Sequence, residues 1–269
     1  MNKFLTLALG SAAALALAVS APASAGTLVL EGSDATSFHQ DANYTSQLFG
    51  YLKGASALPV LVYSSGGTVT ITNAPAGTVY ATSLAGLNTA NYSAIYIQSP
   101  GGCCSDNYSG VNGDASKANL ASFYAAGGSV SIGDYQGNAG WGTLLGFAGL
   151  STITAADIGG LGGGAGGSTC FDTETFLPSA LAAGFTQPGS LGCWGHQSYK
   201  MSTFGALGFN NLVESNNGLG KGWSSFLALG GVLGGGVPEP ATWAMMLVGF
   251  GAIGATLRGS RRRAAMVKA

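Results

Sequence analysis

Residues Lys117 to Tyr135 read KANLASFYAAGGSVSIGDY, and this run decides the fold class. Leu120, Phe123 and Tyr124 share one helical face, so Lys117 to Ala126 is predicted to be a helix. Gly127-Gly128 follows where a helix end favours a residue free to take positive φ. Ser129 to Ile132 is then a short apolar strand, closed by Gly133-Asp134-Tyr135. A helix returning through two glycines into a buried strand is the second half of a βαβ unit.

The same rhythm runs upstream. Thr27 to Leu30 is an apolar strand that runs into Glu31-Gly32-Ser33-Asp34. Tyr44, Leu48, Phe49 and Leu52 fall at helical spacing. Pro59 to Tyr63 and Ala94 to Gln98 are further strands, the latter closed by Ser99-Pro100-Gly101-Gly102, and Val69 to Ile71 is expected as a small edge strand. Strands alternating with helices predict an α/β domain of three layers, with a mostly parallel sheet and right-handed crossovers. The stretch from Thr27 to Leu150 resembles the flavodoxin-like fold of glutamine-amidotransferase-like domains, through its helix, Gly-Gly, strand, Gly-Asp-Tyr run. Beyond Leu150 the pattern decays. Gly159 to Gly167 holds seven glycines in nine residues and is expected to be a mobile loop. The segment from Ser168 to Leu212 reads as loop-rich, with Thr203 to Leu212 packing back on the sheet. Gly230 to Gly236 reads as a flexible tether.

Composition excludes several classes. The chain has 269 residues and 46 glycines, well above the usual ~7%, yet glycine follows no three-residue period, which excludes collagen. Charged residues make up 8%, with 46% hydrophobic, which is too apolar for a disordered chain. No basic face exists, so no nucleic-acid partner is expected. Between Gly26 and Val237 four lysines oppose ten acids, a mild acidic excess that favours solubility.

The two ends lie outside this domain. Residues 1–25 read as a signal peptide: Lys3, an apolar run from Phe4 to Val19, then the Ala23-Ser24-Ala25 cleavage site, with Gly26 as the first mature residue. Residues 26–236 form the exported domain. Residues 237–263 carry Pro238-Glu239-Pro240, an apolar helix from Ala241 to Leu257, then Arg258 and Arg261-Arg262-Arg263. That helix would be roughly 25 Å long at ~1.5 Å per residue, enough for a thin inner membrane with Arg258 snorkelling. The arginines stay on the cytoplasmic side, which puts the body outside. The run VPEPATWAMMLVGFGAIGATLR, followed by RRR, resembles a PEP-CTERM sorting signal through Pro238, Glu239, Pro240, Trp243, Ala244 and Gly249. The resemblance implies a Gram-negative host that makes extracellular polysaccharide. It also implies exosortase as a partner, passage through the inner membrane, cleavage near Pro238 to Pro240 and delivery to the cell surface or matrix.

Chemistry-bearing residues are sparse. Cys103, Cys104, Cys170 and Cys193 are an even set in an exported chain and imply two disulfides. A bond between adjacent Cys103 and Cys104 is disfavoured, so each is expected to reach one of the distant pair. No C-x-x-C spacing suggests zinc. No metal or cofactor is expected. Ligands bind outside the carboxyl ends of parallel strands. Asp34 and His39 follow the first strand and Asp134 the fourth, while His196 would be held there by a disulfide from Cys193. A shared cleft containing His39, Asp134 and His196 is the expectation.

Two functions compete. A non-catalytic binding or structural role, linked to exopolysaccharide, is favoured by the absence of any recognised catalytic motif. The alternative is an exported hydrolase or amidohydrolase acting on glycans or related polymers. It requires His39 and His196 near one cleft, within hydrogen-bond reach of a carboxylate. Aromatics such as Tyr135, Trp141 and Trp194 lining a shallow groove would instead favour binding.

Overall fold

A computed structural model describes residues 26–64, 70–98, 111, 113–133, 144–160, 163–168, 170, 174–188, 192–215 and 217–230. The first half alternates as the sequence predicts: β1 (Leu28–Glu31), α1 (Ala42–Lys53), β2 (Val60–Tyr63), β3 (Val79–Ala81), β4 (Ala94–Ile97), α2 (Ala118–Ala125) and β5 (Ser129–Gly133). These five strands are parallel and lie in the order β3-β2-β4-β5-β1. Alternation along each strand separates two apolar faces. Leu28, Leu30, Ile95, Ile97, Val130 and Ile132 point to one side, where Leu120 and Phe123 of α2 cover them. Val29, Val60, Val62 and Tyr96 point to the other, under Leu48, Phe49 and Leu52 of α1. Burying a side chain of this size contributes about 1.5–3 kcal/mol. Asp41 starts α1 by accepting the Tyr44 amide at 2.8 Å through Oδ1. The edge strand is β3, not the expected Val69 to Ile71 segment: Ile71 is buried in a turn, and Val69 lies outside the described residues.

The second half departs from a mostly parallel sheet. It adds β6 (Ile158–Gly160), β7 (Thr175–Phe176), α3 (Pro178–Ala182), β8 (Gln197–Lys200), α4 (Met201–Phe204), β9 (Asn210–Glu214) and β10 (Trp223–Leu229). All five strands enter antiparallel ladders, so the ten-stranded sheet is mixed. Within Ser168 to Leu212 the expected loops are interrupted by β7, β8 and the start of β9, and Phe204, Phe209 and Leu212 pack into the core as the sequence suggests. β10 organises the second half. Phe226 to Leu229 pair with β1, while Trp223 and Ser224 pair with β8. Ser224, Phe226 and Ala228 also pair with β9, which must therefore occupy the opposite edge. So β1 and β8 lie end to end along one edge of β10.

The glycine tract is not a free loop where it is described. Gly159 and Gly160 belong to β6, Ala165 donates to the Ile158 carbonyl at 3.0 Å, and Ser168 donates to Asn217 at 2.6 Å. Gly160 has φ +97°, and a Cβ there would run into the carbonyl of His196. Glycine is needed here for close backbone approach rather than for mobility.

Cysteine pairing also differs from expectation. Cys170 bonds Cys193, with 5.2 Å between their Cα atoms, so neither reaches the Cys103-Cys104 pair. Both ends of the bond lie in the second half. Cys103 and Cys104 lie outside the described residues. Among the described residues no helix is long and apolar enough to cross a membrane. The Ala241 to Leu257 segment lies outside them.

Candidate functional site

The edge of β10 is handed from β1 to β8 at Gly32. Its amide still donates to Ser225 at 2.7 Å, while its carbonyl accepts the amides of His196 at 2.9 Å and Gln197 at 2.8 Å. A Cβ at Gly32 would collide with the Gln197 carbonyl, so only glycine allows the two chains to approach this closely. Ser33 then bridges Gly195, and the Asp34 amide donates to the Trp194 carbonyl at 3.0 Å. Backbone pairing thus carries His196 to Asp34. The disulfide expected to do so is absent, and Cys193 instead sets the turn before Trp194, with φ +69°. His39 returns by a local turn in which the amides of Phe38 and His39 both donate to the Asp34 carbonyl, at 2.9 and 3.1 Å.

Side chains converge at this handover. His196 Nε2 lies 3.1 Å from Asp34 Oδ2, and His39 Nε2 lies 3.4 Å from Asp34 Oδ1. Asp34 is 1% exposed, and a carboxylate buried that deeply requires a partner. Among the described residues its ion-pair partners are these two imidazoles. His196 is buried, whereas the His39 side chain is 30% exposed. Phe38 stands edge-on to His39, with ring centres 5.4 Å apart, and Trp194 lies 6.1 Å away on a tilted plane. With Nε2 donating to Asp34, a neutral imidazole keeps its basic lone pair on Nδ1. A carboxylate that orients an imidazole in this way equips it as a general base.

Two further acids are buried around the pair. Glu31 ends β1, and its carboxylate accepts Thr36 Oγ1 at 3.0 Å, Tyr96 Oη at 3.1 Å and Ser33 Oγ at 3.4 Å. The Tyr96 hydroxyl lies over Gly133, where a Cβ would obstruct it. Burial pushes the Glu31 carboxyl up to about 7, against the opposing pull of those hydroxyls and of Tyr44. Burial likewise pushes Glu174 up to about 7; the Ser225 hydroxyl and His196 lower it, and Asp34 raises it. Tyr44 is held well above the ordinary tyrosine range by burial and then by Glu31 and Glu174. A cavity of about one water's size lies here, with Ser33, Tyr44, Glu174 and Ser225 among its lining and the apolar Phe176, Val213 and Phe226 closing it.

Of the expected cleft residues, Asp34, His39 and His196 come together. Asp134 lies outside the described residues, as do Tyr135 and Trp141. It directly follows Gly133, which pairs in register with Glu31. Trp194 is buried beside His39 rather than lining an open groove. Sequence reasoning missed Glu31 and Glu174. An acid closing an apolar strand was the available signal for Glu31; Glu174 offered none. Among the described residues no group of three or more His, Cys, Asp and Glu side chains could hold a metal ion.

No curated protein and no solved structure matches the chain. Residues 236–263 match the PEP-CTERM protein-sorting motif, over the Pro-Glu-Pro, the apolar segment and the arginines. The chain is therefore an exported protein that carries a PEP-CTERM sorting motif and is made as a membrane-anchored precursor for exosortase.

Proposed function

We propose that the exported body is a hydrolase, with His196, oriented by Asp34, as the general base and glycans or related polymers as the substrate class. One observation carries this reading: a single buried carboxylate lies 3.1 and 3.4 Å from two imidazoles. Hydrogen-bond reach between an imidazole and a carboxylate is a geometry that a general-base hydrolase needs, and it supports this reading. Export supports a polymer outside the cell as substrate, and the 30% exposed His39 lies on the open side of the pair. The processed protein, isolated from the cell surface, should release reducing ends, acyl groups or ammonia from the host's own exopolysaccharide. His196→Asn should reduce that rate by about 10²-fold or more. A rate unchanged in His196→Asn would refute the reading.

A binding role is the second reading, and Phe38 favours it. The residue is 56% exposed, and its ring beside His39 offers a surface on which a sugar face could stack. Retention on immobilised exopolysaccharide, lost in Phe38→Ala and without any turnover, would support binding over hydrolysis.

We also infer that the mature chain starts at Gly26 and ends within the sorting segment. The Gly26 amide donates to the Tyr124 carbonyl at 2.9 Å, so the fold seats the chain firmly from that residue onward.

A further inference from the structure

We propose that His39 is a second catalytic residue, the general acid that protonates the leaving group, while His196 acts as base across the shared Asp34 carboxylate. The proposal rests on the reading of the body as a hydrolase. Exposure separates the two rings. The side chain of His39 is 30% exposed against 7% for His196. A water molecule is small enough to meet a buried ring, whereas the leaving group of a polymer needs the open one. Asp34 offers His39 a vacant acceptor: Oδ1 is buried and accepts no hydrogen bond among the described residues, and His39 Nε2 faces it at 3.4 Å. Catalytic hydrogen bonds are often this long before substrate arrives and tighten in its complex. The exposed Phe38 ring stands edge-on to His39, 5.4 Å between centres, so a sugar face stacked on Phe38 would lie beside the imidazole.

Charge divides the roles. One carboxylate neutralises one imidazolium, so the trio of Asp34, His39 and His196 is balanced with one ring protonated. A charge costs less on the ring that reaches water. His196 is then the neutral base and His39 the protonated acid. With Nε2 donating to Asp34, a protonated His39 presents its second N–H at Nδ1. In the step itself the oxygen of a water molecule bonds to the scissile carbon as His196 takes one of its protons. The bond from that carbon to the leaving oxygen or nitrogen breaks, and that atom takes the Nδ1 proton of His39. One water is consumed, and return of a proton from His196 to His39 through solvent resets the pair.

The test follows release of reducing ends, acyl groups or ammonia from the host's own exopolysaccharide by processed wild type, His39→Gln and His39→Ala, with urea unfolding alongside. The Gln amide can still donate to Asp34 Oδ1 but has no proton to give up. His39→Gln, still folded at the assay temperature, should therefore lose about 10²-fold or more in rate. His39→Ala should lose as much, and added imidazole should restore part of its rate in proportion to concentration, because the site of the missing ring is open to water. A His39→Gln protein at the wild-type rate would make His39 only a brace for Asp34 and overturn the acid role. A folded His39→Ala protein that imidazole does not restore would overturn it as well. Either result, beside an active wild type, leaves the hydrolase reading standing. A wild type without turnover overturns that reading and the acid role together.

Discussion

Asp34 and His196 stand 162 residues apart in the chain, yet their Oδ2 and Nε2 atoms meet at 3.1 Å. Backbone pairing at Gly32 achieves this, at the point where β10 exchanges one neighbour for another. The histidine is set by main-chain hydrogen bonds, so its position tolerates little backbone displacement.

Gly32→Ala tests that dependence. The added methyl has no room beside the Gln197 carbonyl. The expected loss is about 1–3 kcal/mol in urea unfolding, as for other overpacked sites. His196 ring signals should shift with it, whereas an Ala at the open Gly86 should change neither.

The buried acids make a pH prediction. Glu31 and Glu174 ionise near 4.5 when unfolded and near 7 when folded. Between these values the unfolded chain releases protons that the folded chain keeps. Their contribution to stability is therefore full below about 4.5 and is lost as pH rises toward 7. Each carboxyl accounts for roughly 3 kcal/mol at most. Urea midpoints should be higher at pH 5 than at pH 8, and Glu31→Gln should narrow the gap. Equal midpoints in wild type would contradict the assignment.

How legible this was in the sequence differs between the two halves. β1, β2 and β4 are short, mostly apolar runs and β5 alternates Ser with Val and Ile; all four are buried on both faces and bounded by turn residues, and such segments announce themselves. β8 reads Gln-Ser-Tyr-Lys, β9 begins Asn-Asn, and β6 is Ile-Gly-Gly, so none shows an apolar period. Their burial comes from pairing around β10, a tertiary fact that local pattern cannot carry. Asp34 and His39 entered as candidates because ligands favour the carboxyl ends of parallel strands. His196 was placed at the right edge for the wrong reason, since a backbone bridge rather than a Cys193 bond to the Gly-Cys-Cys segment holds it there. Glu174 lies four residues after a cysteine in a stretch with no periodicity, and only the fold reveals its burial.

The Cys170–Cys193 bond closes a loop of 23 residues. Removing it with Cys193→Ser should cost about 3 kcal/mol in the chain-entropy account. Non-reducing peptide mapping should recover the Cys170 and Cys193 peptides as one linked species. A linkage from either to Cys103 or Cys104 would show a different pairing.

Processing is tested by intact mass. Surface material should start at Gly26 and lack Arg258, Arg261, Arg262 and Arg263. A host without exosortase should accumulate the membrane-bound precursor with all four arginines retained. Mature surface protein that keeps the cluster would contradict sorting by that route.

The central claim is that Asp34 and His196 form a working acid–base pair on an exported body. The most direct measurement is the rate of host exopolysaccharide breakdown by wild type and His196→Asn, with urea unfolding run alongside. The account predicts a loss of about 10²-fold or more in protein still folded at the assay temperature, beyond any fall in the unfolding midpoint from uncovering Asp34. A His196→Asn protein that matches the wild-type rate, or a wild type that binds the polymer and never cleaves it, would contradict the account.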